Sequence, residues 1–142
     1  MNKIALKEGK IILNTETIEY FAKKKGFDLK CKIEEDGIKI DFEKKVIGFD
    51  LPVHIFVKDI KIEKYLLKIE KYKMLLGSIS IPSISLVPFL KKYKFIAVDM
   101  GKNIVIINLK DLIPRNVELN IDKILLKKGE IEIVLNNITI LL

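Results

Sequence analysis

The sequence predicts an α+β domain in which antiparallel sheets carry two short helices on one side. Apolar residues alternate with charged ones over most of the chain, which is the period of a half-buried antiparallel strand. Two short stretches, each followed by lysines, repeat apolar residues at helical spacing instead. One long apolar pattern also occurs twice, so the 142 residues are expected to form a single domain, 1–142, made of two structural repeats (about 1–73 and 74–142).

The repeated pattern is identified by a shared irregularity. In the later copy the apolar positions are Val117, Leu119, Ile121, Ile124 and Leu126. In the earlier copy, at numbers lower by 64 (117 minus 53), they are Val53, Ile55, Val57, Ile60 and Ile62. Both copies alternate, skip one position and resume, as at a β-bulge, because one extra residue returns the side chains to the core face. Since alternation alone recurs by chance in an Ile- and Lys-rich chain, the shared skip indicates an internal duplication of a β-α-β-β-β-β unit.

The first repeat opens with a strand near Ile4–Leu13, which a turn or bulge at Glu8-Gly9 is expected to interrupt. Asn14 is the expected cap of a helix, since its side chain can accept a hydrogen bond from a free amide of the first turn. The apolar face of this helix is expected to consist of Ile18, Phe21 and Ala22. Gly26 would provide the left-handed residue at its end.

A hairpin and a second pair of strands follow. Leu29, Cys31 and Ile33 alternate with charged residues and predict the first strand. Asp36-Gly37 is the expected two-residue turn, because both residues tolerate a positive φ. The chain is then expected to pass through Gly48-Phe49-Asp50 into a long strand, Val53–Ile62, paired with Leu66–Tyr72.

The second repeat starts 68 residues after the first, so that Gly77 corresponds to Gly9 (77 minus 9). Its helix is expected to begin at Ser83 or Ser85, because Pro88 lacks an amide hydrogen and favours a first helical turn. The remaining elements are predicted to be strands at Phe95–Met100 and Ile104–Leu109, a turn at Gly101-Lys102-Asn103, and a tail strand over Asn136–Leu142 after a turn. The strands Phe95–Met100 and Ile104–Leu109 are apolar at nearly every position, which predicts burial on both faces or at an interface.

The sequence contains no constellation of catalytic residues. His54 is the single histidine, and its place between Val53 and Ile55 predicts a solvated or structural side chain facing away from the core. Cys31 is the single cysteine, so an internal disulfide is excluded and a small buried residue is expected. The glycines are isolated at element ends, which argues against a phosphate-binding loop. We therefore predict no enzyme activity, no cofactor and no metal site.

The chain is expected to be cytoplasmic and to lack a transmembrane span. Its N-terminus carries Lys3, Lys7 and Glu8, charges that come too early for the apolar core of a signal peptide. Met74–Leu90 is free of charge, but its length is at the lower edge of the roughly 17–25 residues that a membrane helix needs. The glycine and prolines within it favour a strand followed by a helix.

Lysines are concentrated at the ends of both predicted helices, in a chain whose formal net charge is +7. If pseudo-two-fold symmetry places the helices together, the candidate anion-binding residues on that face are Lys23, Lys24, Lys25, Lys91, Lys92 and Lys94. Such a face would bind nucleic acid or an anionic membrane surface. The alternative is that these lysines complement the helix dipoles and aid solubility. Arg115 is the single arginine, which counts against a nucleic-acid site.

Apolar residues make up 49% of the chain, and their excess lies between Leu75 and Leu109. The candidate residues of an apolar surface are Leu75, Leu76, Phe95, Val98, Ile104 and Ile106. Such a surface would be an oligomer interface or a slot for an acyl chain. The alternative is an ordinary core in a chain whose isoleucine and lysine content reflects codon usage.

Two resemblances at the level of the fold add functional expectations. The duplicated β-α-β-β-β-β unit resembles the repeat within sliding-clamp domains, in which basic helices line a DNA channel. The apolar excess is similar to that of tubular lipid-binding proteins, in which a curved antiparallel sheet and helices enclose an acyl chain. We expect a non-enzymatic binding or scaffold domain that acts through self-association or an apolar, lipid-like ligand. Nucleic-acid binding through the lysine-rich helix ends is the alternative.

Overall fold

The computed structural model describes residues 2–82, 93–99 and 101–142. Within them the chain forms two antiparallel sheets, one α-helix and a 3-10 turn. In chain order the elements are β1 (Lys3–Leu6), β2 (Gly9–Asn14), α1 (Thr15–Lys24), β3 (Leu29–Glu34), β4 (Gly37–Val46), β5 (Phe49–Glu63), β6 (Leu66–Leu76), β7 (Ile79–Ser80), β8 (Ile96–Asp99), β9 (Ile104–Asn108), the 3-10 turn (Leu109–Leu112), β10 (Val117–Lys127) and β11 (Glu130–Leu141). The predicted antiparallel sheets are confirmed, whereas the second predicted helix, starting at Ser83 or Ser85, lies outside the described residues.

The small sheet consists of β1, β2, β10 and β11, with β11 in its centre. β10 pairs along one side of β11, and β1 and β2 pair one after the other along the opposite side. The predicted first strand is therefore divided, because the chain leaves the ladder at Lys7 and Glu8. The predicted turn before the tail at Asn136 is wrong. β11 runs unbroken to Leu141, since β1 and β10 pair with its last residues from both sides.

The large sheet contains the other seven strands in the order β3-β4-β5-β6-β9-β8, with β7 beside the end of β6. On one face, called the inward face, apolar side chains align across strands, as in the row Cys31, Ile40, Ile55 and Met74. The opposite, outward face carries polar rows such as Lys30, Asp41 and His54. The predicted β8 and β9 are confirmed, but of their described residues Val105 alone is buried, so burial on both faces within the chain is wrong.

Both skips in the apolar pattern are β-bulges, as predicted. The pairing of β5 with β6 shifts register around Val57 and Asp59. The pairing of β10 with β11 shifts around Ile121 and Lys123, which are the same positions displaced by 64 (121 minus 57). The two long hairpins are therefore equivalent in local structure, while duplication of the whole unit stays a prediction.

The turn between β3 and β4 contains Glu35 and Asp36, so the prediction of Asp36-Gly37 is wrong by one residue. Gly37 instead begins β4 and lies against the bulge of β5. A Cβ atom at this position would collide with the carbonyl oxygen of Val57. Glycine is thus needed for the close approach of a neighbouring strand and not for a positive φ.

The helix α1 begins as predicted, because the Asn14 side chain accepts a hydrogen bond of 2.8 Å from the amide of Thr17. Gly26 ends it at a φ of +91°. The predicted apolar face is wrong at Phe21, whose side chain is 58% exposed and packs edge-on against Tyr20. Among the described residues the helix packs mainly against β3 and β2, and none of its residues is fully buried.

Gly129 connects the two sheets. It lies in the turn between β10 and β11, and its amide donates to the Ile33 carbonyl of β3 at 2.8 Å. Its own carbonyl accepts from the amide of Thr15, the first residue of α1, at 3.1 Å. The amide of Cys31 donates to the Glu19 carboxylate of α1 at 3.0 Å. The edge strand of the large sheet is therefore covered by a turn and a helix, which protects it from pairing with other chains.

The core is small for a chain of this length. The buried apolar residues among those described are Cys31, Ile33, Val53, Val57, Met74, Val105 and Leu135. Cys31 is buried as predicted. Burial raises the pKa of its thiol, and the charge of Glu19 raises it further. In the described part of the chain, no helix has the length and apolar character to cross a membrane.

Glu132 in β11 of the small sheet is a buried acid, with 3% of its side chain exposed. Its carboxylate lies 2.9 Å from the Lys10 ammonium and 2.5 Å from that of Lys127. The hydrogen bonds from Lys127 and Lys10 lower the pKa of Glu132 to about 2. Burial opposes this effect, so the ionised form depends on both lysines.

We expect Gly37→Ala to destabilise the fold, because the new methyl group would displace the Val57 carbonyl of the β5 bulge. The free energy of unfolding should fall by about 1–3 kcal/mol, measured by urea denaturation. Gly101→Ala is the matched control, since the nearest atom to its Cβ would be Asp99 Oδ1 at an ordinary 3.5 Å. Equal stabilities of the two variants would contradict the close approach at Gly37.

We expect Glu132 to make the fold sensitive to acid. Its pKa is lower in the folded chain, about 2 against an ordinary 4.5. Its contribution to stability is therefore complete above about pH 4.5 and is lost as the pH falls through 2. Glu132→Gln should flatten the decline of the free energy of unfolding across this range, measured by urea denaturation at several pH values. Glu118→Gln, at an exposed position of β10, should decline like the wild type.

Candidate functional site

The lysine-rich end of α1 is exposed as predicted. Lys23, Lys24 and Lys25 are exposed and make no ion pair within the described residues, although the Lys24 ammonium lies 5.0 Å from the centre of the Tyr20 ring. Lys94 is also exposed, while Lys91 and Lys92 lie outside the described residues. An uncompensated positive charge therefore remains at this helix end.

Aromatic contacts bring the helix end close to Lys94. The ring of Phe27, three residues after α1, lies 5.4 Å from that of Tyr93, measured between centroids. Tyr93 in turn lies 5.7 Å from Phe95. Because Lys25 and Lys94 neighbour these rings in sequence, four of the six predicted lysines lie in one region.

The lysines on the outward face of the large sheet are in a different situation. Several form ion pairs, including Lys61 with Glu70 at 3.0 Å and Lys68 with Glu63 at 2.7 Å. The shallow cleft of about 540 Å³ on this face is lined by Phe56, Lys58, Glu70, Lys71, Tyr72 and Lys73. The mixture of charges is that of a solvated strand face, so this cleft is a weaker candidate for anion binding than the helix end.

The predicted apolar surface is not one surface. Leu76 pairs with buried Val53, and Val98 pairs with buried Val105, so these two candidates lie on the inward face. The outward face instead carries Leu75, which pairs with His54, together with Ile104 and Ile106. Phe95 precedes β8 and packs on Tyr93. The apolar excess between Leu75 and Leu109 is therefore divided between both faces of the large sheet.

The most exposed large apolar side chain among the described residues, that of Ile47, lies beside the predicted connection Gly48-Phe49-Asp50. Beyond the last pair of β3 with β4, Leu29–Phe42, and the first pair of β5 with β6, Val53–Leu76, the β4–β5 hairpin continues alone. We call this part, residues 43–52, the arm. In the described residues its strands pair only with each other, apart from the Gly77 amide, which donates to the Pro52 carbonyl at 2.7 Å.

The turn of the arm consists of Ile47 and Gly48, both at positive φ (50° and 79°). This is the type I′ geometry that normally selects Asn-Gly. Ile47 is 92% exposed and Phe49 is 71% exposed. A β-branched residue in this conformation costs roughly 1–2 kcal/mol. Isoleucine directly before a glycine in a tight turn was the sequence signal for this feature.

His54 and Asp41 form a hydrogen-bonded pair on the outward face, with Nδ1 2.6 Å from Oδ1. Both side chains are about one-third exposed. In the part of the chain that the structure describes, no serine or cysteine hydrogen-bonds to His54, and no group of three or more His, Cys, Asp or Glu residues could hold a metal ion. The pair aligns the imidazole without completing a nucleophilic site.

Comparison with protein families, curated proteins and solved structures finds no match to this chain. Function must therefore be inferred from the chain's own residues: the exposed lysines of the helix end, the apolar arm and the inward faces of the sheets.

We expect Ile47→Asn to raise the free energy of unfolding by up to about 1 kcal/mol, because asparagine tolerates the positive φ at the tip of the arm. Ile47→Val keeps a β-branched side chain in the same conformation and should not raise it. Thermal melting of the three proteins measures both effects. A melting temperature of Ile47→Asn at or below that of Ile47→Val would contradict the strained turn.

Proposed function

We propose that this chain is a non-enzymatic binding protein for an apolar ligand, and that the ligand is the acyl chain of a lipid. The observation that carries the proposal is the accessibility of the inward face along β4. Ile38, Ile40 and Phe42 are all partly exposed there. Their neighbours across the ladder include the buried Cys31 and Ile33 of β3 and Val53 and Val57 of β5.

A covered sheet is normally most buried along its central strands. Here the inward stripe along β4 is partly exposed although β4 lies inside the sheet. Leu29 of β3 and Ile55 of β5 beside it are partly exposed as well, whereas the other inward neighbours are buried. We treat this accessible apolar stripe as a trough. We name it the β4 trough, defined by Ile38, Ile40 and Phe42. Its width of one strand suits a single hydrocarbon chain better than the broad face of a second protein.

The length of this apolar stripe sets the scale of binding. Each methylene group removed from water contributes about 0.8 kcal/mol, so ten methylenes along the trough would provide roughly 8 kcal/mol before the entropic costs of binding.

The charge distribution favours a lipid with an anionic head group. β3 begins at Leu29, which pairs with Phe42 at the end of the trough, and the exposed lysines of α1 come shortly before Leu29 in the chain. A phosphate placed there would meet lysines without ion-pair partners in the described residues, while its acyl chain followed β4. The resemblance to tubular lipid-binding proteins agrees with such an arrangement.

We also propose that the fold arose by duplication of a β-α-β-β-β-β unit. The proposal is supported by the two long hairpins, whose bulges at Val57–Asp59 and Ile121–Lys123 are equivalent. Under it, β7 and β8 correspond to β2 and β3. The second predicted helix, starting at Ser83 or Ser85 and outside the described residues, would correspond to α1.

Nucleic-acid binding at the helix end is a second candidate function. The contact of Phe27 with Tyr93 favours it, because it gathers Lys23–Lys25 and Lys94. Retention on single- or double-stranded DNA should then fall steeply with salt. It should be lost when Lys23, Lys24, Lys91 and Lys92 are replaced by Gln. Retention of this variant equal to wild type would exclude the helix end as the site.

Native mass spectrometry of the purified protein tests the lipid proposal. We expect extra mass that organic extraction releases as an acyl species. Phe42→Gln with Ile40→Gln should lower the occupied fraction several-fold, since polar groups would line the trough. The matched control is Ile12→Gln, at an exposed position of the small sheet, which should keep the ligand. A bare monomer would contradict the proposal, and a ligand-free dimer would assign the open surface to a second copy of the chain.

A further inference from the structure

We propose that the arm inserts its tip into the surface of an anionic lipid bilayer. This goes beyond the binding of a single lipid in the β4 trough and is independent of it. The proposal is carried by the projection of the arm, the side chains at its tip and the lysines at its base.

The arm projects beyond both neighbouring strands. Four residue pairs, from Glu43–Pro52 to Val46–Phe49, extend past the ladders with β3 and β6. At about 3.4 Å per residue the tip stands about 13 Å beyond its neighbours. Amphipathic elements that bind the bilayer interface bury their apolar part about 5–10 Å deep, so the arm is long enough to reach that depth without the body of the sheet entering the lipid.

The tip has two features that are unfavourable in water, exposed apolar surface and a strained backbone. Ile47 and Phe49 leave 92% and 71% of their surface exposed. Ile47 also occupies a left-handed conformation that isoleucine rarely adopts. A strained, fully exposed apolar residue at a hairpin tip is the kind of outlier from which a functional role can be inferred. Ile79, which is 70% exposed and pairs with Leu76 at the base of the arm, adds apolar surface at the same end.

The charges determine the kind of bilayer. Within the arm, Glu43 and Asp50 balance Lys44 and Lys45, so the arm itself is neutral. The positive excess comes from Lys23–Lys25 at the end of α1, two to four residues before Phe27. The strand that follows, β3, begins at Leu29, which pairs with Phe42 at the base of the arm. Basic residues close to an anionic surface add attraction that decays within a Debye length of about 8–10 Å. An apolar tip backed by lysines is therefore complementary to a bilayer that contains anionic lipid.

The shape of the arm favours a bilayer over a second copy of the chain. A convex two-residue tip presents little flat area, whereas stable protein interfaces bury about 800 Å² on each partner. A bilayer accommodates a narrow apolar tip because its acyl chains rearrange around it. A bilayer is therefore favoured over a protein partner, and the experiment distinguishes the two.

Flotation with lipid vesicles tests the proposal, using the full chain. The vesicles contain phosphatidylcholine alone or phosphatidylcholine mixed with phosphatidylglycerol. We expect the wild type to float with the mixed vesicles, and Ile47→Asn with Phe49→Ser to weaken the partition about tenfold or more. The first substitution suits the turn, so this variant should remain folded. Ile12→Asn with Leu112→Ser also removes two exposed apolar side chains (56% and 54% exposed), but both lie outside the arm. This control variant should bind the vesicles like the wild type.

A dye at the arm provides a second measurement. Asp50→Cys can be labelled selectively, because position 50 is exposed, whereas Cys31 is buried and the pKa of its thiol is raised. An environment-sensitive fluorophore there should shift to the blue with mixed vesicles, whereas one at Glu118→Cys should not.

Three results would overturn the proposal. The first is no flotation of the wild type, and the second is equal flotation of the tip variant, which would leave lysines alone as the cause. The third is a loss of self-association in the tip variant without any vesicle binding, which would make the tip a contact between copies. Ligand mass in the tip variant is measured separately, so failure of the arm and failure of the trough are distinguishable.

Discussion

The arrangement of the two sheets depends on one residue in a turn. Gly129 donates to the Ile33 carbonyl of β3 and accepts from the Thr15 amide of α1. Through these bonds the β10–β11 turn, the start of the helix and the edge of the large sheet are held together. Ile33 and Leu135, the most buried large side chains, belong to β3 and β11, the strands that this contact brings close. The two most buried large side chains thus lie at the junction between the sheets, while the other buried apolar residues belong to strands of the large sheet.

Much of the local structure could be predicted from the sequence, because it depends on neighbours along the chain. The skip near Lys58 gave the bulge of β5, and Asn14 and Gly26 gave the helix ends. The role of Gly37 could not be predicted from its neighbours along the chain. Beside Asp36 it has the sequence of a turn, but its lack of a side chain serves a contact with Val57, twenty residues later (57 minus 37). A local pattern cannot reveal a steric requirement imposed by a distant strand.

The features of the candidate site also differ in how far they could be predicted from the sequence. The lysines at the end of α1 could be predicted, since exposure of charged residues follows from helix position alone. The apolar surface could not, because strands that are apolar at every position give no sign of which face is covered. Leu75 and Leu76 are adjacent in sequence and lie on opposite faces of β6. Exposure of Ile47 was also hidden, because isoleucine is ordinarily a core residue and only the turn geometry reverses this expectation.

The bond between Thr15 and Gly129 joins residues 114 positions apart. Contacts of such long range form late in folding, because the chain must first close a large loop. During synthesis the first eighty residues emerge with α1 and β3 but without the turn that covers Ile33. The Glu19 carboxylate can already accept the hydrogen bond of the Cys31 amide. The Ile33 carbonyl lacks its donor until the β10–β11 hairpin has been made. A nascent chain of this protein therefore presents a partly open strand edge until the turn at Gly129 has been made, and this interval is when it is most exposed to aggregation.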